Sequence, residues 1–300
     1  MEHIVNIFQY LNETYGIQIV IKDFSRCIFK NQYFSALSGF ESHSNCFCSY
    51  IKSNSFAQMH CVECSNIKLY NKIASNENLW QPFWGVCYGG VKEYVVPIVI
   101  NHTVYGALIA GEFACDAERK QSSFARLEQK YGFDPGRLEL LYAKSVSGRF
   151  MPGGKAIPSI LQLCANHIAE ALDSLSDSEK NTFPKNTRII LNSAITYISA
   201  HLKTKILIKD IAAYCHCSES TLSHCFRESM EISIGQYIIL KRLSKAKRIL
   251  ADRSGIPIAE VAEKCGFGST EYFSNFFKQN TGISPAEYRR QCQLKSNENR

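Results

Sequence analysis

The side chains with most chemistry to offer are the thirteen cysteines of this 300-residue chain, and several of them cluster. Residues 42–64 read SHSNCFCSYIKSNSFAQMHCVEC, which sets Cys46, Cys48, Cys61 and Cys64 among His43 and His60. Together with Cys87 on an approaching strand, they could supply four thiolates to zinc or to an iron–sulfur cluster. The competing reading treats free cysteine as a small apolar filler. Cys215, Cys217, Cys225, Cys265 and Cys292 occur in a half of the chain with no metal pattern, so cysteine is used freely here. An odd count favours free thiols or a metal over a disulfide framework. No Gly-rich phosphate loop, nucleophile elbow or His-x-x-x-His pair is present, so no catalytic residue is assigned and enzymatic activity is not expected.

A second set of polar residues lies in Val261–Lys278, VAEKCGFGSTEYFSNFFK. Val261, Ala262 and Cys265 share a helical face, and Gly266 supplies the positive φ of a sharp exit. Ser269 stands where an N-cap hydroxyl serves the next helix. Phe273, Phe276 and Phe277 then point inward, leaving Thr270, Glu271, Ser274, Asn275 and Lys278 outward. The stretch Ile211–Arg227 repeats the pattern, with Ile211, Ala212, Cys215, Ser218, Leu222, Phe226 and Arg227 in matching roles. The offset is 50 residues before the turn and 51 after it. An apolar-cored helix–turn–helix whose second helix is small, polar and outward-facing suits a DNA major groove. Between the copies, Ser233–Leu250 reads as a helix of about 27 Å, stiff enough to set two such helices in grooves about 34 Å apart.

The tandem, the Gly-Phe after the downstream first helix and the segment Gly282-Ile283-Ser284-Pro285-Ala286-Glu287-Tyr288-Arg289 resemble the AraC/XylS family of transcription regulators. Tyr237, Arg242, Ala246 and Leu250 extend that resemblance over residues 186–290. It implies an all-α C-terminal domain with two helix-turn-helix units joined by a long helix. It also implies DNA-facing roles for Glu219, Ser220, Thr221, Ser223, His224 and Arg227 upstream. The downstream counterparts are Thr270, Glu271, Ser274, Asn275 and Lys278. Among these, Asn275 could pair with adenine and Glu271 could accept from cytosine N4. Double-stranded promoter DNA and RNA polymerase are the partners implied, with a homodimer as the expected assembly. One departure is Glu231, which stands at the αL position that Gly282 holds in the second copy.

Charge divides the same way. Residues 1–186 carry 17 Lys and Arg against 17 Asp and Glu, whereas residues 187–300 carry 17 against 10, so the net +7 lies in the second part. A neutral half joined to a basic half suits a sensor joined to a polyanion binder. No stretch approaches the roughly 20 apolar residues of a membrane span. The first residues lack a basic segment followed by an apolar core, so a cytoplasmic location without membrane association is expected.

In the neutral half, an amphipathic helix (Ile4, Ile7, Phe8, Leu11) runs to Gly16 and IQIVIKDF follows as a strand. Residues 23–39 read as a turn, a second short strand and a helix. From Cys61 a helical pattern passes through Ile67, Tyr70 and Ile73. Then FWGVCYGG leads into VKEYVVPIVI, a turn at Asn101-His102, and VYGALIAGEF. Cys48 after Phe47, Cys61-x-x-Cys64, Cys87-x-x-Gly90, Pro97-Ile98, Gly106 and Gly111 resemble the PocR-type sensory domain, a variant of the PAS/GAF-like sensors. That resemblance implies an α+β fold and a small-molecule effector, with Trp84, Cys87, Tyr88, Gly90 and Glu112 as candidate ligand contacts. Tyr88 and Glu112 replace a histidine and a glutamine common in that family, so those roles do not carry over.

The resulting division is a sensory domain at 1–156, a signalling or dimerisation helix and linker at 157–186, a DNA-binding domain at 187–290 and a tail at 291–300. In the helix Ile157–Leu175, Ile157, Leu161, Cys164, Ile168, Leu172 and Leu175 form a seam. It fits either packing on the domain's own sheet or a parallel dimer. The function expected is a promoter-binding regulator controlled by a small molecule, or else by metal or redox state at the cysteines.

Overall fold

The computed structural model describes residues 1–43, 45–146, 148, 151–175, 187–252 and 255–298. One unit comprises Met1–Gln129 and Phe133–Lys185, the other Lys130–Gly132 and Asn186–Arg300. No helix among the described residues is long and apolar enough to cross a membrane.

Helix α1, Glu2–Tyr15, buries Ile4, Phe8 and Leu11 and ends at Gly16, whose φ of 65° closes the cap. Strand β1 is Gln18–Asp23. The expected second strand is absent. The Asp23 carboxylate accepts from the backbone N–H groups of Arg26, Ile28 and Phe29, which turns the chain into α2, Cys27–Lys30. A 3-10 helix over Gln32–Phe40 follows. Helix α3 is Cys46–Lys52 and α4 is Ser55–Val62, capped by Asn45 and Asn54. A π-helical segment, Glu63–Lys68, joins α4 to α5, Leu69–Ala74. Strands β2 (Phe83–Val86), β3 (Val91–Ile100) and β4 (Thr103–Ala114) complete an antiparallel sheet of order β1-β4-β3-β2. The β3–β4 turn places Asn101 at φ 46° and His102 at φ 60°, as a two-residue hairpin turn requires. Helices α6, Ala117–Tyr131, and α7, Pro135–Ser145, lead to α8, Ala156–Ser174.

The α8 seam packs on its own sheet. Ile157, Leu161, Cys164, Ile168 and Leu172 are buried in one core with Phe8 of α1, Val96 and Ile98 of β3, and Leu108, Ala110 and Phe113 of β4. Those side chains are spent on the domain's own core, so the dimer reading of this seam is set aside. On the other sheet face Phe24, Ile73, Val95, Val104 and Ala107 form a smaller core beneath α5. Most of the expected linker, residues 176–186, lies outside the described residues.

Every regular element among the described residues of the second unit is a helix. Helix α9, Thr187–His201, buries Ile190, Leu191, Ala194 and Ile198, with Ile195 only half-buried. Then come α10 (Ile208–Tyr214), α11 (Glu219–Met230), α12 (Ile234–Ala251), α13 (Ile258–Lys264), α14 (Thr270–Thr281) and α15 (Pro285–Glu298). Ser233 and Gln236 form a reciprocal capping box at the start of α12. Helix α15 continues to Glu298, so residues 291–298 of the expected tail are helical.

Candidate nucleic-acid interface and sensory cluster

Two short-then-long helix pairs, α10–α11 and α13–α14, repeat one backbone design. Each second helix starts at a serine: Ser218 Oγ accepts from the Thr221 N–H at 3.0 Å, and Ser269 Oγ from the Tyr272 N–H at 3.1 Å. Each first helix ends with the same 6→1 closure, Cys217 N–H to Ala212 C=O and Phe267 N–H to Ala262 C=O, both at 3.0 Å. That closure needs an αL residue, supplied by His216 (φ 52°) in one pair and Gly266 (φ 80°) in the other. The inward sides are sealed by Leu222, Cys225 and Phe226, and by Phe273 and Phe277. Phe276 is only half-buried, lying between Phe267 and Tyr272 in an aromatic row.

Of the eleven positions expected to face DNA, nine are exposed: Glu219, Ser220, Ser223, His224, Arg227, Thr270, Glu271, Asn275 and Lys278. Thr221 and Ser274 are half-buried, and Thr221 shares a 2.8 Å hydrogen bond with the Ser218 cap. His224 is engaged with Glu228 across one helical turn at 3.4 Å. Tyr272, 51% exposed beside Glu271, belongs to the same face but was not singled out from sequence. Its position between Glu271 and Phe273 was the available signal.

Arg242 holds this scaffold in register. Its guanidinium donates to the Leu202 carbonyl at 3.1 Å and the Thr204 carbonyl at 2.6 Å, tying α12 to the chain leaving α9. Gly266 packs so closely there that a Cβ would meet the Leu202 oxygen at 2.2 Å. Lys245 donates to the Lys264 carbonyl at 2.7 Å, capping the end of α13.

In the first unit a β-bulge builds a polar site inside an apolar layer. Pairing runs Lys92↔Phe113, then resumes at Tyr94↔Ala110, so Glu93 alone faces Gly111 and Glu112. Before the bulge Leu108 and Ala110 face α8; after it Phe113 does. The shift in parity turns Glu112 onto the opposite face, where Glu93 already points. Both carboxylates are buried. His43 Nδ1 lies 3.9 Å from Glu93 Oε1, 4.0 Å from Glu112 Oε1 and 3.8 Å from Cys48 Sγ. The Asn45 side chain donates its N–H to Glu112 and accepts the Cys48 backbone N–H at 2.7 Å.

Burial lifts Glu93 to about 7, with Lys22 opposing the rise and Glu112 adding to it. It also lifts Glu112 to about 7 against the hydrogen bond from Asn45. Burial, then the charges of Lys22 and Lys52, pull His43 down to about 4. The imidazole is therefore neutral wherever the carboxylates are ionised, and these close contacts are not ion pairs. Burial raises the Cys48 thiol to about 12, Cys61 to about 11 and Cys87 well above its usual value.

The five cysteines expected to share a metal do not form one ligand set. Cys46 is exposed and contacts the Ser145 hydroxyl at 3.1 Å. Among the described residues, the group whose ligand atoms come within 4.8 Å of one another is His43, Cys48 and Glu112. Sequence spacing favoured cysteine pairs because it could not foresee the bulge. Glu93 did leave a signal: it shares period-two parity with the buried Val91 and Val95.

The expected ligand contacts also separate. Glu112 belongs to the buried polar cluster, and the Cys87 thiol lies near enough to feel the charges of Glu93 and Cys48. Trp84 lies on the other sheet face, its ring 5.1 Å from Tyr94 and 5.4 Å from Phe113. Gly90 at φ 83° is structural: its carbonyl accepts from Tyr142 and Cys115, and a Cβ would strike Ser123 at 2.8 Å. Tyr88 stacks on His60 and receives Arg126 over its ring. A separate cleft of about 270 Å³ opens beside α8, lined in part by Trp80, Pro97, Gln162 and Asn166, and contains none of the five.

A bulge-built polar cluster marks the α/β unit, and an exposed polar face on serine-capped helices marks the basic helical unit. Residues 1–171 match the sensory domain found in PocR, and residues 211–291 match a helix-turn-helix domain family. The chain belongs to the PocR sensory-domain family and is an AraC-type, DNA-binding transcriptional regulator. It is 24% identical over 227 residues to the regulatory protein PocR of Salmonella typhimurium, covering 70% of this chain and 72% of that one. It is 38% identical over 172 residues to the arabinose operon regulatory protein of Escherichia coli, covering 55% of this chain and 57% of that one. The solved DNA-binding domain of AdpA, in complex with a target DNA, aligns at 28% identity and a TM-score of 0.34. That alignment covers 35% of this chain and 94% of the AdpA chain.

Proposed function

We propose that this regulator binds promoter DNA through both helix pairs, as two helix-turn-helix units, and that a small molecule in the N-terminal unit controls the outcome. The observation carrying this reading is the repeated serine-capped second helix, buried on one side and polar on the other, placed twice in the basic part of the chain. Glu219, Ser220, Thr221, Ser223 and His224 face the bases in one unit and Thr270, Glu271, Ser274 and Asn275 in the other. Arg227 and Lys278 stand nearer the phosphates. Residues 1–156 serve as a PAS/GAF-like sensor, 157–186 as the connecting helix and linker, and 187–290 as the reader. The regulator works in the cytoplasm as a homodimer and engages RNA polymerase at the promoter.

The effector must bind two states of the sensor with different affinity to shift anything. The buried Glu93–Glu112–His43–Cys48 cluster offers hydrogen-bonding groups to a small polar molecule on one sheet face, with Cys87 close by. A thermal-shift screen of small metabolites on the full chain, followed by DNA binding with each hit, identifies it. For the output, Asn275→Ala weakens specific binding by about 1–3 kcal/mol and leaves random-DNA binding nearly unchanged. An equal loss on both in a mobility-shift titration contradicts the base-reading role.

A further inference from the structure

We propose that His43 Nδ1, Cys48 Sγ and the Glu112 carboxylate bind one divalent transition-metal ion, zinc foremost, with the fourth position open to a further ligand. The site stands on this side-chain set alone and holds whether or not an organic effector enters the same unit.

Three of the donors already stand close together. Zinc bonds of roughly 2.0–2.3 Å place neighbouring ligand atoms roughly 3.3–3.8 Å apart. The imidazole nitrogen lies 3.8 Å from the thiol sulfur, 3.9 Å from one carboxylate and 4.0 Å from the other. The imidazole nitrogen, the thiol sulfur and a Glu112 oxygen lie within 4.8 Å of one another, so contraction by about an ångström or less brings these three onto a common centre. The donor chemistry narrows the ion. A thiol and an imidazole with carboxylates suit zinc and its late first-row neighbours, whereas magnesium and calcium take oxygen donors.

The surroundings also fit. Asn45 holds two of the donors at once, its amide on Glu112 and its carbonyl on the backbone of Cys48. Outer-sphere hydrogen bonds of this kind orient ligands around protein-bound metals. The polar contacts of His43 all run through Nδ1, the ring nitrogen that faces the other donors. A single proton on Nδ1 can serve one of its three neighbours, whereas a cation there serves all of them. Binding displaces the Cys48 thiol proton to solvent, and thiolate plus one carboxylate balance the charge of the dication.

Cys46 and Cys64 lie outside the group, which separates this proposal from a generic cysteine cluster. The test uses the full chain, stripped with a chelator, reloaded with zinc or cobalt(II) and dialysed. The expected result is one metal per chain, with a thiolate-to-cobalt charge-transfer band and the d–d intensity of tetrahedral coordination. Cys48→Ser removes that band, and Glu112→Gln weakens binding by at least about 100-fold. Asn45→Ala keeps one metal but weakens it about 10–100-fold, while Cys46→Ser and Cys64→Ser change nothing. If Cys48→Ser does not fold, the band in the unsubstituted chain and the Glu112→Gln affinity decide. Absence of stoichiometric metal, a cobalt spectrum without a thiolate band, or equal loss in Cys64→Ser overturns the assignment.

Discussion

The two helix pairs of the DNA-binding unit reach the same backbone with different residues at their two αL positions. The downstream pair uses Gly266 and Gly282, both at φ 80°; the upstream pair uses His216 at φ 52° and Glu231 at φ 59°. An L side chain in that conformation costs on the order of 1 kcal/mol. The upstream pair therefore carries local strain that its hydrophobic seal, Leu222, Cys225, Phe226 and Met230, must offset. At Gly266 the difference goes beyond φ, because the Leu202 carbonyl occupies the space a Cβ needs. The downstream pair is thus wedged against the end of α9 by contact, and the upstream pair is the more readily loosened.

The largest expected effect is at that wedge. Gly266→Ala should destabilise the helical unit by more than about 2 kcal/mol, since it adds both a positive-φ penalty and a clash with backbone. Both tryptophans, Trp80 and Trp84, lie in the other unit. Far-UV circular dichroism in urea should therefore show an early helical transition while tryptophan fluorescence keeps its midpoint. Arg242→Ala comes next, at about 1–3 kcal/mol, because two carbonyls lose a charged donor. Coincident loss in the tryptophan signal would break the assignment of that clamp to one unit. Ser218→Ala and Ser269→Ala should each cost about 1 kcal/mol. Both serines accept a backbone N–H of the second helix, but Ser218 also shares a 2.8 Å hydrogen bond with the Thr221 hydroxyl, so its loss should be the larger. A larger loss at Ser269 would show that this extra bond contributes nothing. The smallest effect has the opposite sign: His216→Gly and Glu231→Gly should each stabilise by up to about 1 kcal/mol. A loss in either would mean the side chain makes a contact worth more than the strain.

Much of this helical unit is legible in the residues. Period-3.6 patterning, the serine caps and the Gly266 exit locate α10, α11, α13 and α14, and the repeat offset aligns their roles. His216 is not legible as an αL residue, because nothing local distinguishes it from an exposed helix end; only alignment with Gly266 exposes it. In the sensory unit the hairpin at Asn101-His102 follows from its flanking apolar runs. The segment after β1 misleads, because Asp23 spends its carboxylate on three backbone N–H groups and so replaces a strand with helix. The polar cluster is hidden for a related reason. Gly111 marks a strand irregularity but does not say how parity shifts, so Glu112 reads as facing α8 until the register is known. The α8 seam shows the limit of periodicity, since a sheet and a partner helix ask for the same spacing.

The central claim is that one protomer reads DNA with both helix pairs. Hydroxyl-radical and methylation footprinting on a promoter bound by the full chain tests it most directly. The account predicts two protected major-groove segments per protomer, roughly 10 base pairs apart, with Ser223→Ala altering the first and Asn275→Ala the second. A single protected segment, sensitive to one substitution and indifferent to the other, would contradict it.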